Sequence, residues 1–283
     1  MNRTTPPEAL PRPSTILFLG LARDCEATLP IFFRYLGQLR DHGLSCSALV
    51  GENGSRDRTR LLLEQASGAQ LQVVDTAFMA QGNSRLARMA RGRQALLEAA
   101  AAMAPEPAYV CVLDLDNVMR EPPGPEAVLK AIERLEADRC LFAVGATSSP
   151  VYYDLLALRA EGHDYATLNA DLAAAKKRPF TYYQFHRDRI YRHQKAMTRA
   201  QPIPCLSSFN GFCLYRAADY WTGTYRGPGE EGLCEHVSLN LAIGRATCKR
   251  MLIAPELQVR TPADHAPVTW FRFWLDRLGK VMR

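Results

Sequence analysis

The stretch YVCVLDLDNVMR, Tyr109 to Arg120, begins as a buried β-strand, with apolar and β-branched residues, and ends in two carboxylates separated by one leucine. In an extended chain Asp114 and Asp116 point to one side and Leu115 to the other, into the core. Two acids at a strand end lose hydration and repel each other unless a cation lies between them, so the pair points to a divalent metal. Oxygen ligands favour Mg2+ or Mn2+ over zinc. A capping or turn role is the plainer alternative for the same two aspartates.

Working outward, STILFLGLARD (14–24) reads as a strand and CEATLPIFFRYLGQLRDHG (25–43) as a helix stopped by Gly43. LSCSALVGENGS (44–55) is a second strand entering a turn, RDRTRLLLEQAS (56–67) a second helix, and AQLQVVDT (69–76) a third strand. SRLARMARGRQALLEAAAAM (84–103) is a long helix leading to the opening strand. This β-α alternation predicts an α/β fold with a mostly parallel central sheet flanked by helices. Such sheets bind ligands beyond the carboxyl ends of their strands, where ARD, GENGS and DLDN all fall. From about Leu141 the alternation loosens: LFAVGATSS and FNGFCLYR read as strands, VSLNLAIGRA as a helix and RMLIAPELQV as extended, which predicts a mixed C-terminal half.

The chain has 283 residues, 47% of them hydrophobic, which suits one large domain. The expected organisation is a disordered tail at 1–14, a ligand-binding half at 15–140, a second half at 141–262 and an amphipathic tail at 263–283. A net charge of +6 suits an anionic ligand or surface. The basic residues accompany no zinc-finger, helix-turn-helix or RNP pattern, so no nucleic-acid partner is expected. None of the eight cysteines forms a C-x-x-C pair; Cys111, Cys140 and Cys213 read as small buried hydrophobes, and a reducing, cytoplasmic compartment is expected. The apolar run ILFLGLA is too short to span a bilayer.

In LVGENGSRDRTR, Gly54, Ser55, Asp57 and Thr59 suit a turn and a helix start, while Glu52 and Asn53 project at the ligand edge and could hydrogen-bond a base or ribose. Together with DLDN, these residues resemble those of GT-A fold (Rossmann-like), family 2-like glycosyltransferases, whose second strand is followed by D-D-G-S-x-D-x-T; Glu52, Asn53, Gly54, Ser55, Asp57 and Thr59 stand at the matching places. The form EN-x-S-x-D-x-T is similar to that of Anp1-type and capsule-type mannosyltransferases, with Asn53 replacing the usual second acid and Arg58 the usual glycine.

The resemblance implies a metal-dependent hexosyltransferase, moving a sugar from a nucleotide-sugar donor to a glycan or lipid-linked acceptor in polysaccharide biosynthesis, with Mn2+ or Mg2+ as cofactor. It implies that Asp116 ligates the metal of this DxD motif, that Asp114 reaches the ribose, the donor sugar or the metal, and that His265 adds a ligand, with His236 competing. Ala22, Arg23, Asp24, Glu52, Asn53 and Leu115 would border the nucleotide. An arginine among Arg85, Arg88 and Arg93 would pair with the diphosphate, being forked and always charged, and Arg93 is preferred because RGRQALL resembles the arginine-plus-amide step of relatives; a solvated basic helix face is the alternative. Glu235, at the start of an apolar helix, would deprotonate the acceptor, with Glu231 in reserve; helix capping is the other reading.

Asn210 and Gly211 suit either a close backbone approach to a ligand or a tight bulge. Tyr182, Tyr183 and Tyr191 suit either sugar stacking or a packed helix face. The tail TWFRFWLDRLGKVMR is a basic amphipathic helix that either docks its aromatic face on the core or lies peripherally on an anionic membrane. Two other classes share parts of this pattern: a sugar nucleotidyltransferase, whose glycine-rich, lysine-containing loop is missing from LGLARDCEA, and a non-catalytic carbohydrate-binding or scaffold protein. A Rossmann dehydrogenase lacks its G-x-G-x-x-G here.

Overall fold

The structure is a computed structural model that describes residues 14–81, 84–103, 106–197, 201–225 and 233–281. Ten strands form one sheet: β1 Thr15–Ala22, β2 Ser45–Glu52, β3 Leu71–Asp75, β4 Tyr109–Asp114, β5 Leu141–Ser149, β6 Arg159–Ala160, β7 His163–Asp164, β8 Ile203–Ser207, β9 Phe212–Arg216 and β10 Arg250–Arg260. The helices are α1 Leu29–Asp41, α2 Thr59–Ala66, α3 Arg85–Ala101, α4 Pro125–Ala137, α5 Leu168–Lys176, α6 Pro179–Phe185, α7 Arg192–Ala196, α8 Ala217–Tyr220, α9 Glu235–Thr247 and α10 Trp270–Val281.

The strand order is β3-β2-β1-β4-β9-β5-β10-β8-β6-β7. β3, β2, β1 and β4 run parallel, as do β5 and β10, whereas the pairings of β9 with β4 and β5, of β8 with β10 and β6, and of β6 with β7 are antiparallel. The expectation of a mostly parallel sheet is therefore corrected: parallel pairing is confined to the block β3-β2-β1-β4 and the pair β5-β10. The reason is β9, drawn from the second half of the chain, which inserts between β4 and β5. Because β9 is antiparallel to both, β4 and β5 point the same way. The carboxyl ends of β1, β2, β4, β5 and β10 and the entry to β9 thus share one edge, and that edge holds the site.

Alternation along β1 builds both faces. Ile16 and Phe18 pack with Phe32, Tyr35 and Leu39 of α1 and with Leu135 of α4 on one side. Leu17 and Leu19 pack with Leu96 and Leu97 of α3 and with Leu239 and Ile243 of α9 on the other. Each such side chain contributes about 1.5–3 kcal/mol by leaving water. Ser84 caps α3 by accepting from the amide of Ala87 at 3.1 Å. Gly92 lets α3 lie close to β1, since a Cβ there would come within 2.3 Å of the Met79 sulfur and 3.1 Å of Leu21. That close approach carries the next residue, Arg93, under the sheet edge.

All eight cysteines are free thiols, and Cys111 and Cys213 are buried as expected. Cys140 is exposed, a correction to its reading as a core residue, because it lies in the turn before β5 rather than in the strand. Among the described residues no helix is long and apolar enough to cross a membrane.

Candidate active site

The loops leaving β1 and β2 are laced together. Asn53 donates its backbone N–H to the Ala22 carbonyl at 3.0 Å. The Asp24 amide donates to the Ser55 hydroxyl and the Asp24 carboxylate accepts from the Arg56 amide, with Asp24 held at φ +54°. Glu52 departs from its expected role. It is buried, its carboxylate accepts from the Ser55 amide at 2.6 Å and from Arg60 at 2.6 Å, and these partners outweigh desolvation to hold it below the usual carboxylate range. Both its oxygens are committed to the turn, so it is a brace and not a free ligand group. Asn53 keeps a buried side-chain oxygen without a hydrogen-bond partner among the described residues. Arg23 is half-exposed at the same edge, and Ala22 is fully buried.

At the end of β4 the two aspartates separate in environment. Asp114 closes the strand and its carboxylate accepts from Arg93 Nη2 at 2.7 Å. Leu115 is buried in the core and its carbonyl accepts from Thr28 Oγ1 at 2.5 Å. Asp116 lies past the strand, where it caps the short turn Asn117–Arg120 by accepting from the Val118 amide at 3.2 Å. Its side chain reaches solvent, yet desolvation and the charge of Asp114 push its carboxyl up to about 6. An acid raised in this way is one a cation would stabilise.

Arg93 is the hub. Its side chain is only 3% exposed, and it lies 2.7 Å from Asp114, with Nε 3.4 Å from Glu235. Its guanidinium sits 5.0 Å over the Phe209 ring. Burial would push it down, but Asp114, Tyr225 and Glu235 together keep it charged. Asp114 is raised by burial and by Glu235, with Arg93 opposing both. Glu235 is the first residue of α9, buried, and also 3.6 Å from His236 Nε2. His236 stacks on Phe209 with centroids 3.5 Å apart, and burial and Arg93 push it well below the ordinary imidazole range, so its ring is neutral.

Asp154 was missed by the sequence reading. It follows β5 at the same edge, its carboxylate accepts from the Ala157 amide at 3.3 Å, and its own amide donates to Asn210 at 3.2 Å. Burial, then Asp114, then Glu235 push it up to about 7. The signal was available: VYYD follows the strand LFAVGATSS, so the strand-end rule that selected Asp114 applies here too. Asn210 (φ +54°) and Gly211 (φ +79°) form the tight bend entering β9. A Cβ on Gly211 would come within 2.4 Å of the Tyr153 hydroxyl. The backbone approach here is to Tyr153 and Val118, and the Gly211 carbonyl accepts from the Asp114 amide at 3.0 Å.

His265 is half-exposed, its ring 5.1 Å from that of Tyr153, and it lies close enough to Asp116 to lower that residue's pKa. The three proposed ligands do not form a closed cage: among the described residues no group of three His, Cys, Asp or Glu side chains is placed to hold a metal ion. This agrees with the chemistry of Mg2+, which one or two carboxylates bind while water and substrate phosphates complete the shell. Glu231 lies outside the described residues.

An acid raised in the folded chain keeps a proton that the unfolded chain has already lost. Stability from Asp154 is therefore highest below its unfolded value of about 4 and falls as pH rises towards about 7. In the metal-free protein, Asp154→Asn should flatten the loss of urea stability across that window and gain stability at its upper end. Parallel pH profiles for the two proteins would show that Asp154 is not raised.

No protein-family model matches this chain, and no curated protein sequence matches it. Among solved structures, glucosyl-3-phosphoglycerate synthase from Mycobacterium tuberculosis, in complex with Mn2+, UDP and phosphoglyceric acid, is similar at 15% identity and TM-score 0.47, covering 94% of this chain and 74% of that one. The same synthase in complex with Mn2+, UDP and glucosyl-3-phosphoglycerate gives 14% identity and TM-score 0.45, covering 94% and 75%. A mycobacterial protein gives 18% identity and TM-score 0.47, covering 92% and 70%. Likeness at this level fixes neither donor nor acceptor for the present chain.

Proposed function

We propose that this chain is a metal-dependent glycosyltransferase of GT-A type, transferring a hexose from a nucleoside-diphosphate sugar to an acceptor hydroxyl. One observation carries the reading. At the shared strand edge Asp114 is neutralised by Arg93, while Asp116, two residues on, is solvent-reaching, raised to about 6 and without a salt-bridge partner among the described residues. That is a seat for a hard cation, and Asp116 with His265 would hold Mn2+ or Mg2+ there.

When bound, the cation offsets charge developing on the departing nucleoside diphosphate. The chain's own residues do the rest. Arg23 is half-exposed at the edge where the nucleoside would lie, and Asn53 follows β2 at the same edge with its side-chain oxygen buried. Arg93 fixes Asp114 and Glu235 relative to each other rather than reaching the diphosphate itself. Glu235, at the start of α9, is one candidate to take the acceptor's proton, but it is engaged by Arg93. Asp154, poised near neutral pH, competes for that role.

Mannose is the first donor sugar to test, on the motif similarity of EN-x-S-x-D-x-T. A lipid-linked acceptor and peripheral membrane contact are proposed from α10: Phe273 is fully buried against Tyr182, Tyr183 and His186, while Trp270, Phe271, Leu275 and Leu278 remain exposed. The helix thus docks through Phe273, with Trp274 partly buried, and offers Trp270, Phe271, Leu275 and Leu278 outward. A cytoplasmic setting suits the free thiols.

The test is release of nucleoside diphosphate from a panel of UDP- and GDP-hexoses, with and without Mn2+. Metal-dependent release from one donor is expected. Metal-dependent donor binding without release under any acceptor would instead establish the non-catalytic carbohydrate-binding reading.

A further inference from the structure

Beside the acidic edge, a groove of about 540 Å³ lies between the α6–α7 segment and the chain that follows His265. Arg187, Tyr191, Arg192 and Lys195 line one wall, with Val268 and Thr269 on the other. The helical run is interrupted by a π-turn over His186–Tyr191. Spacings of four and eight residues bring Arg187, Tyr191 and Lys195 to one face, and the wider π-turn adds Arg192 beside them. π-turns of this kind are frequent at functional sites.

The charge of the groove is specific. Asp188 also lines it, but Arg187 holds that carboxylate through two hydrogen bonds of 2.7 and 2.9 Å. Arg192 adds its charge to that of Arg187 on Asp188 but, like Lys195, makes no ion pair among the described residues, so the groove carries three cations against one carboxylate, with Arg192 and Lys195 open to an incoming anion. The groove is also built into the site. Gln194, 2% exposed and between those two cations in sequence, donates to the carbonyls of Tyr153 at 3.3 Å and His265 at 3.2 Å. The Tyr183 hydroxyl donates to the Val268 carbonyl at 3.4 Å, tying the two walls together.

We infer that this groove binds the phosphate of an acceptor that is itself a phosphomonoester, holding it through Arg192 and Lys195 beside the transfer site. A phosphomonoester carries close to two negative charges at neutral pH, matching the two available cations, whereas a carboxylate carries one. Arginine and lysine together provide a forked donor and a mobile point charge, a combination suited to phosphate. The inference rests on the glycosyltransferase reading for the word acceptor. The phosphate itself could come from a small soluble molecule or from a lipid headgroup.

The test is calorimetric titration of the full chain with glycerol 3-phosphate and with glycerol, and flotation with phosphatidylcholine vesicles with and without phosphatidic acid. UDP with Mn2+ is titrated in parallel. The comparison protein is the double variant Arg192→Gln, Lys195→Gln, whose changes are at exposed positions and keep good helix formers. The expected result is binding of glycerol 3-phosphate but not glycerol, weakened at least about tenfold in the variant, equivalent to about 1.4 kcal/mol, with the UDP titration unchanged. Variant-sensitive binding seen only with phosphatidic acid vesicles supports the groove and assigns the lipid source. Absence of phosphate binding in both formats, or equal binding by wild type and variant, overturns the inference while UDP binding leaves the proposed function standing. Phosphate binding that depends on the two cations, with no nucleotide binding, upholds the anion site and fails the glycosyltransferase reading instead.

Discussion

Replacing Asp116 with alanine should lower kcat/KM for sugar transfer at least about 1,000-fold, roughly 4 kcal/mol of transition-state stabilisation, while leaving the fold intact. Asp116 lies outside the strand and reaches solvent, and among the described residues its carboxylate accepts a hydrogen bond from the Val118 amide, so removal of the side chain leaves little of the core disturbed. In the proposed site its carboxylate is the anchor of the cation, since Asp114 is occupied by Arg93 and Glu52 by Ser55 and Arg60. The effect should appear in kcat as well as KM, because charge on the departing group is greatest in the transition state. Loss of the raised acid should also make the metal-free protein slightly more stable near neutral pH, the direction set by desolvation and the Asp114 charge. Activity within tenfold of the wild type would remove Asp116 from the metal site.

Arg93→Ala is expected to act on stability, by about 3–5 kcal/mol and roughly 10 °C in melting temperature. The size follows from what remains. Asp114 and Glu235 would face each other in a buried setting without the cation between them, Asp154 nearby adds to their repulsion, and the Phe209 ring loses its stacked guanidinium. Lowering the pH should narrow the gap to wild type, since protonated carboxyls no longer need Arg93. Urea unfolding at neutral and acidic pH measures both points. A pH-independent loss under 1 kcal/mol would mean that Arg93 is a surface-like pair of small worth.

These two residues also show how far the sequence could be read. The four strands and three helices from Thr15 to Asp114 were legible because each carries its own periodicity and stop signals, and the strand-end rule then selected Asp114 and Asp116. Arg93 was selected as the arginine of interest, but for a diphosphate; its buried position between two acids depends on Gly92 and α9, which meet only in three dimensions. The insertion of β9 between β4 and β5 was not legible, because nothing local in FCLYR states which strands, about 70 and 100 residues earlier, will flank it. Glu52 was misread for a related reason: a carboxylate at a ligand edge looks free until the Ser55 amide and Arg60 are seen to claim both oxygens. Leu115 read correctly as a core side chain, and its carbonyl accepts from Thr28, 87 residues away.

Cation-dependent nucleotide binding is the central claim, and titrating the metal-free chain with UDP and GDP, each in the presence and absence of Mn2+, measures it most directly. The account predicts that one of the two nucleotides binds only with Mn2+ and that Asp116→Ala abolishes that binding while still binding phosphate in the basic groove. Nucleotide binding that is indifferent to both the metal and Asp116, or no binding of either nucleotide, would contradict it.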